Sequence, residues 1–462
     1  MRVHVKDAFS GLALSLLWLG VLAKALGGPG IPALLTPLTF LALGAYVLWQ
    51  LDRIPGAVWI HLGLSVIAAL LAVRFLPHPD AALVLALDRA ALLAALLASL
   101  GLLRDAACTS GMVLTGGRML VRQSPGRRYV AISGGSSLFG AILNFGVVGL
   151  LGGIVQQANN AERTNDESVR RLRERRMLLA ILRGFSVLIF WCPLTVAYAL
   201  VIAIVPGAEW TAMVGYGVVG ALLTVTLGWA LDRLAMPRPA AGRVWEPFDA
   251  WKLLPLVGIV ALISGLAAGI ELLSEGLLIH GVILAAPLVA MIWLALQAGV
   301  QLGVLRTVHY VGTAIPAYRT EVIVLGNAAF LGALISSLVT ETAMQDWIVG
   351  AAVPGLAVVV GLPWLVVMLG QFGVNPLISV TVLAAVVGDP AAKGLDASAI
   401  GVALLIGWGL AIGSSPVVAA TMMVGRLTGE TARTVGAGWN GTFTLLALLA
   451  ASLFLGALTL IR

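Results

Sequence analysis

The chain has 462 residues, of which 60% are hydrophobic and 11% charged, with a formal net charge of +7 and a mean hydropathy of +1.03. A soluble protein of this length needs far more charge to cover its surface, so that class is excluded. Two cysteines, Cys108 and Cys192, imply neither a disulfide framework nor a Cys-rich metal site. The positive balance is what Lys and Arg retained on cytoplasmic loops produce, and it does not point to nucleic acid.

The chain opens on Met1-Arg2-Val3-His4-Val5-Lys6 and an apolar run from Phe9 to Leu22, followed by Ala23-Lys24-Ala25. This resembles a signal peptide with its cleavage site, but the many later apolar runs favour a first membrane helix. Apolar segments follow at Ile31–Leu51, Gly56–Leu76, Ala81–Leu103, Tyr129–Val155, Leu178–Val205, Ala212–Leu231, Leu253–Leu273, Leu277–Val300, Glu321–Val339 and Trp347–Leu369. Gly373–Val387, Ala397–Ile412, Ser415–Val424 and Gly441–Ile461 complete the series. Several are too short or too rich in Gly and Pro for full spans. The expected fold class is an all-α polytopic membrane protein of roughly ten to twelve transmembrane helices, with re-entrant hairpins and broken helices in two inverted repeats. The expected organisation is N-terminal membrane helices over 1–55, a first repeat over 56–232, a linker loop over 233–251 and a second repeat over 252–462.

Asp88-Arg89, inside Ala81–Leu103, is expected to form a local ion pair. Gly116–Arg128 carries Arg118, Arg122, Arg127 and Arg128 without an acid, and Gln156–Arg176 carries six arginines and four acids. Both favour the cytoplasm, yet they flank Tyr129–Val155, which has 27 residues. Two full crossings need about 40 residues. A hairpin that enters and returns fits better, and Ser133-Gly134-Gly135-Ser136-Ser137 with Asn144-Phe145-Gly146 suits it.

Aligning Arg128 with Arg319 also matches Ile132 with Ile323, Gly135 with Gly326, Phe139 with Phe330, Leu143 with Leu334 and Val148 with Val339. That is six identities in 21 positions. Further on, Trp191-Cys192-Pro193-Leu194-Thr195 pairs with Val374-Asn375-Pro376-Leu377-Ile378-Ser379, each a proline inside an apolar run. A proline there frees a backbone carbonyl that water, a side chain or a bound solute must satisfy. The loop after the first element is rich in Arg, whereas Thr340–Trp347 has Glu341 and Asp346 and no base, as inverted topology produces.

Broken helices offer amide ends to an anionic group at the membrane midplane. The candidate substrate contacts are Ser136, Ser137, Asn144 and Thr195 in the first half, and Asn327, Asn375, Ser379, Thr381, Ser414 and Ser415 in the second. Tyr198, Ser336 and Ser337 are further polar candidates. Pro193, Pro376 and Pro416 mark the helix breaks. Each hydroxyl is equally suited to holding helices together. Arg183 lies one turn inside Leu178–Val205, where it either snorkels to the interface or meets an anionic solute at the cytoplasmic mouth. The five histidines have no metal-ligand spacing, and no nucleotide, zinc-protease or hydrolase motif occurs, so no catalytic residue, metal or cofactor is expected. Na+ and H+ are the candidate coupling ions.

The arrangement of a basic stretch, a Gly/Ser-rich hairpin (Gly134–Asn144) and a broken helix, repeated over Gly116–Val205 and Arg306–Val424, resembles the broad ion transporter superfamily. That group of secondary transporters includes divalent anion–sodium symporters, citrate carriers and arsenite permeases. The resemblance implies paired hairpins and unwound helices as the substrate and cation sites, an elevator-like carrier, and a carboxylate as candidate cargo. Where the dicarboxylate carriers have Ser-Asn-Thr, this chain has Ser136-Ser137-Leu138 and Gly326-Asn327-Ala328. The expected function is a secondary active transporter, and not an enzyme, moving a small anionic organic solute coupled to H+ or Na+. The expected setting is the bilayer of a bacterial inner membrane, with a homodimer as candidate assembly. The alternatives are the membrane subunit of a multi-component permease and a membrane-embedded glycan polymerase or ligase.

Overall fold

The computed structural model describes residues 5–27, 31–161, 167–234, 249–274, 277–340 and 354–460. In chain order the helices are α1 (Val5–Leu26), α2 (Ile31–Gln50), α3 (Gly56–Phe75), α4 (Pro79–Cys108), α5 (Gly111–Val121), α6 (Pro125–Leu143) and α7 (Gly146–Ala161). They continue with α8 (Glu167–Trp191), α9 (Val196–Ile204), α10 (Trp210–Leu234), α11 (Leu254–Ser274), α12 (Leu278–Ala298) and α13 (Val300–His309). The last are α14 (Arg319–Thr340), α15 (Gly355–Gln371), α16 (Pro376–Val387), α17 (Ala397–Ser414), α18 (Ala419–Thr428) and α19 (Gly441–Leu460). No strand occurs among the described residues. This is what a solvent without hydrogen-bonding partners demands, since a helix satisfies its own backbone. Among the described residues, ten candidate spans are long and apolar enough to cross a membrane, and the chain is an integral membrane protein.

The helices gather into two compact units, each drawing on both halves of the sequence. The first comprises Met1–Thr109, Ala261–Ala352 and Ala384–Val386. Its spine is α4, a 30-residue helix against which α12 and α14 pack. Trp18 Nε1 donates to Ser99 Oγ (2.8 Å), which donates to the Ile283 carbonyl (2.8 Å), tying α1, α4 and α12 together. Asp88 forms an ion pair with Lys24 of α1, a bond that joins two helices. Close approach through small residues operates here as well: a Cβ on Gly281 would fall 2.4 Å from the Ala267 carbonyl oxygen.

The second unit comprises Ser110–Val260, Val353–Leu383 and Val387–Arg462. Within it α6 and α7 form the expected hairpin. They are joined at Asn144-Phe145, and Gly117 of α5 lies against Phe139 of one arm and Leu151 and Ile154 of the other. The arms therefore fold back on each other. Asn144 turns the tip with φ 52° and ψ −143°, a positive-φ conformation outside the left-handed helical basin that side chains rarely adopt. A second hairpin is formed by α15 and α16, joined at Phe372–Asn375 with Gly373 at φ 88°. Leu395, beyond α16, lies against Gly355 at the start of α15, so this chain also returns to where it entered.

Each hairpin is followed by a helix broken at a proline (α8/α9 and α17/α18) and then by an unbroken span (α10 and α19). The inverted repeats are thus present, but in another register than the one pairing Arg128 with Arg319. Arg128 belongs to a hairpin arm of the second unit. Arg319 opens α14, a continuous 22-residue helix of the first unit, and donates to the carbonyls of Arg53 (3.1 Å) and Pro316 (3.1 Å). The Glu341 and Asp346 loop and most of the 233–251 linker lie outside the described residues.

If α6 and α7 form a re-entrant hairpin, its two bases face one side of the membrane. Single cysteines at Arg127 and Gln157, both exposed, in a Cys108→Ala background should react with a membrane-impermeant maleimide from the same side of sealed vesicles. Labelling from opposite sides would mean that the segment crosses the bilayer.

Candidate functional site

Two helix breaks of the same construction lie in the second unit. The first is Cys192-Pro193-Leu194-Thr195, between α8 and α9; the second is Ser415-Pro416-Val417-Val418, between α17 and α18. In each, the residue before proline still donates back into the helix: Cys192 N to the Leu188 carbonyl (3.1 Å), Ser415 N to that of Ala411 (2.8 Å). Proline then removes the next donor and biases the preceding residue towards extended backbone. The chain restarts from N-caps of nearly equal geometry, Thr195 at φ −87°, ψ 147° and Val418 at φ −86°, ψ 139°. Structurally, Pro193 is therefore the partner of Pro416. Pro376 instead begins the second arm of a hairpin.

Contacts around the breaks give the repeat register residue by residue. A Cβ on Gly184 would fall 2.2 Å from the Ser133 carbonyl oxygen of α6, and one on Gly407 2.9 Å from Pro363 Cα of α15. Gly140 of α6 faces Leu188, and Gly370 of α15 faces Ala411. Gly184 with Gly407 and Pro193 with Pro416 keep one offset along the broken helices, and Ser133 with Pro363 and Gly140 with Gly370 keep another along the hairpin arms. The first arm of each hairpin runs parallel to the broken helix after it and reaches its break. The second tip touches directly: Ser415 Oγ donates to the Gly370 carbonyl (2.7 Å) and Gln371 Nε2 to Ser414 Oγ (3.1 Å). In the first, Trp191 Nε1 donates to Ser137 Oγ (3.2 Å).

The two broken helices also pack on each other, and they run antiparallel. Gly401 faces Val201, Gly409 the Ser186 carbonyl, and Gly413 the Ser186 hydroxyl, so one helix advances as the other retreats. The unit is thus a pair of tip-and-break modules related by inversion.

The sequence-selected residues distribute as follows. Ser136 Oγ donates to the Ile181 carbonyl (2.8 Å), joining α6 to α8. Asn144 Oδ1 accepts from Phe145 N (2.9 Å) at the first tip. Thr195 caps α9, accepting from Tyr198 N (3.2 Å) and donating to the Cys192 carbonyl (3.1 Å). At the second tip, Asn375 Oδ1 accepts from Leu377 N (2.9 Å), and Ser379 Oγ donates to the Asn375 carbonyl (3.4 Å). Thr381 Oγ1 donates to the Leu377 carbonyl (2.9 Å). Ser414 and Ser415 stand at the second break against Gln371 and Gly370. Asn327 belongs to the first unit, where it accepts from Ser65 Oγ (2.7 Å) and donates to the His61 carbonyl (2.9 Å), joining α14 to α3.

Asn440 and Arg183 form the contact that sequence reasoning did not assemble. Arg183 does not snorkel to the interface: it is 8% exposed. Its Nε donates to Asn440 Oδ1 (2.8 Å), and its guanidinium lies 4.2 Å from the Phe443 ring centroid. Asn440 Nδ2 donates to the Gly413 carbonyl (2.9 Å), one of the orphan acceptors at the end of α17. Asn440 follows a π-helical turn, Thr434–Trp439, a distortion that often accompanies functional sites and that side-chain periodicity does not signal.

The repeat register makes a checkable statement about packing. Gly184→Ala and Gly407→Ala should each destabilise the purified protein by about 1–3 kcal/mol, read as a lower melting temperature, because the added methyl meets backbone. Gly134→Ala, where a Cβ meets nothing within 4 Å, should leave it unchanged. Equal behaviour of all three would break the register.

No family model matches the chain, and no curated protein matches it. Among solved structures, its fold is similar to the crystal structure of the YdaH transporter of Alcanivorax borkumensis, described as having an unusual topology. The two are 17% identical, with a TM-score of 0.50 over 79% of this chain and 84% of that one.

Proposed function

We propose that the chain is a secondary active transporter of the bacterial inner membrane, moving a small organic anion coupled to H+ or Na+. The observation that carries this reading is the inverted pair of modules, each bringing a hairpin tip to a proline break. Unwound backbone at membrane depth is retained where it lines a cavity or holds a solute. Two such points in one unit, each with amide and hydroxyl groups, supply the chemistry a carrier needs. Asn144, Asn375, Thr195, Ser414 and Ser415 are the proposed solute and ion contacts, their carbonyls and hydroxyls suiting a hard cation such as Na+. The fold shared with a transporter, and the resemblance to the ion transporter superfamily, support the same reading.

Uptake into liposomes holding only this purified chain tests it. A gradient of H+ or Na+ should drive accumulation of at least one member of a panel of small carboxylates. Asn375→Leu, and Asn144→Gly, which permits the same backbone turn, should each reduce uptake at least about tenfold with normal insertion, the loss expected when a hydrogen bond to charge is removed. No uptake under either gradient would contradict the proposal, and unaltered uptake in both variants would contradict the site.

A further inference from the structure

The register that pairs Pro193 with Pro416 sets two unlike buried clusters at equivalent positions, and one of them is charged. Where the second repeat has Asn440, the first has Gly217, packed so closely on Phe190 that a Cβ would fall 1.9 Å from its carbonyl oxygen. Phe190 is in turn the counterpart of Gly413, whose carbonyl Asn440 binds. Where the second repeat has Phe443, the first has Gly220, and the residue facing Gly220 is Ile406. Ile406 is the counterpart of Arg183, which faces Phe443. Equivalent positions in this register therefore hold isoleucine in one repeat and arginine in the other, and the second repeat makes room for the larger cluster with a π-helical turn over Thr434–Trp439.

The charge also lacks an obvious counter-ion. No carboxylate forms an ion pair with Arg183 among the described residues. A buried guanidinium without an acid is costly relative to a paired one. Tyr129 is 4% exposed and lies beside both Arg183 and Ser133, and its Oη makes no hydrogen bond of good geometry among the described residues. A buried hydroxyl so placed beside a cation is suited to an acceptor that carries negative charge. Tyr129 also lines a water-sized cavity of about 20 Å³ between α6, α8 and α10, whose lining includes Arg128, Arg173 and the Arg176–Asp232 ion pair. Arg173, Arg176, Ala180 and Arg183 recur every three to four residues along α8, so one helical face leads from this cavity towards the buried arginine.

We propose that Arg183 and Tyr129 form the site that receives the anionic group of the solute, an oxyanion such as a carboxylate. Arg183 supplies the fixed charge and Tyr129 Oη a hydrogen bond. Asn440 positions the guanidinium and couples it to the broken end of α17. The inference rests on the transport reading for its biological role, but its test is binding. It assigns recognition of charge to one repeat only, so the solute is held asymmetrically within a pseudo-symmetric frame.

The test is anion-dependent stabilisation of the purified full-length protein in neutral detergent. Succinate, acetate and inorganic phosphate are titrated against the uncharged amide analogues, with phosphatidylglycerol in a separate arm. At least one oxyanion should raise the melting temperature where its amide does not. The midpoint of that effect should weaken at least about tenfold in Arg183→Met and severalfold in Tyr129→Phe, while Arg183→Lys recovers part of it. Arg183→Ile combined with Asn440→Gly, which copies the other repeat, should stay folded and lose the response. A response given by phosphatidylglycerol alone and lost in Arg183→Met would keep the oxyanion site and make a lipid its source. No response in the unaltered protein, or one undiminished in folded Arg183→Met, would overturn the proposal. Anion binding without uptake in liposomes would overturn the transport reading and leave this one standing.

Discussion

The constraint on which the rest depends is that hydrocarbon cannot bond to a backbone amide or carbonyl. Every interruption of a helix at membrane depth must therefore be satisfied from within the protein. The two proline breaks meet this demand by different local means. At the first, Thr195 returns its hydroxyl to the Cys192 carbonyl and caps α9 with the same oxygen. At the second, Val418 in the cap position has no hydroxyl, and Thr421 reaches back to the carbonyls of Ser415 (2.7 Å) and Val418 (2.8 Å) instead. Ser415 turns its own hydroxyl outward to the opposing hairpin. One problem solved twice with different residues is what an old duplication leaves when only backbone geometry is held.

The same constraint explains which parts of the fold were legible in the sequence. Membrane embedding followed from lengths and hydropathy. The first hairpin was legible because charge and length conflicted: two arginine-rich ends on one side and only 27 residues between them. The breaks were legible as prolines within apolar runs, but their pairing was not: Pro193 was matched with Pro376, which opens a hairpin arm, and not with Pro416. The repeat register was not legible either. The positions it preserves, Gly184 with Gly407 and Gly140 with Gly370, are selected for the absence of a side chain, and their partners Ser133 and Pro363 meet them partly or wholly through backbone. Glycine is one of the commonest residues here, 54 in all, so its matches stand out poorly. The rare identity, Arg128 with Arg319, joined a hairpin arm to a helix of the other unit.

Among the candidate residues, sequence type alone separated contact from glue only weakly. Ser136, Ser133 and Asn327 are bonded to carbonyls of neighbouring helices, the use that small polar residues have in most membrane bundles. Asn144 and Asn375 instead sit at hairpin tips, where the side chain holds the turn and the adjoining backbone is not helical. What distinguishes them is the conformation of the chain beneath, and in sequence that information lies in the neighbouring Gly and Pro.

Inverted repeats also explain why a single charged residue carries so much meaning in this fold. A frame of two equivalent halves offers equivalent surroundings at each break, so any solute bound by the frame alone would meet two similar sites. Replacing the Ile406 environment by Arg183, and the glycines at 217 and 220 by Asn440 and Phe443, ends that equivalence, and a π-helical turn over Thr434–Trp439 accompanies the change. The asparagine is what makes the replacement tolerable. It gives the guanidinium an acceptor and gives the Gly413 carbonyl a donor, so the exposed end of α17 and the buried cation are satisfied through one amide. The aromatic ring supplies a second, weaker compensation through its electron-rich face. Neither carries formal negative charge, and the cluster is left with a net positive potential on one side of a pseudo-symmetric unit. The electrostatic asymmetry at this point of the frame therefore resides in a cluster of three side chains, Arg183, Asn440 and Phe443.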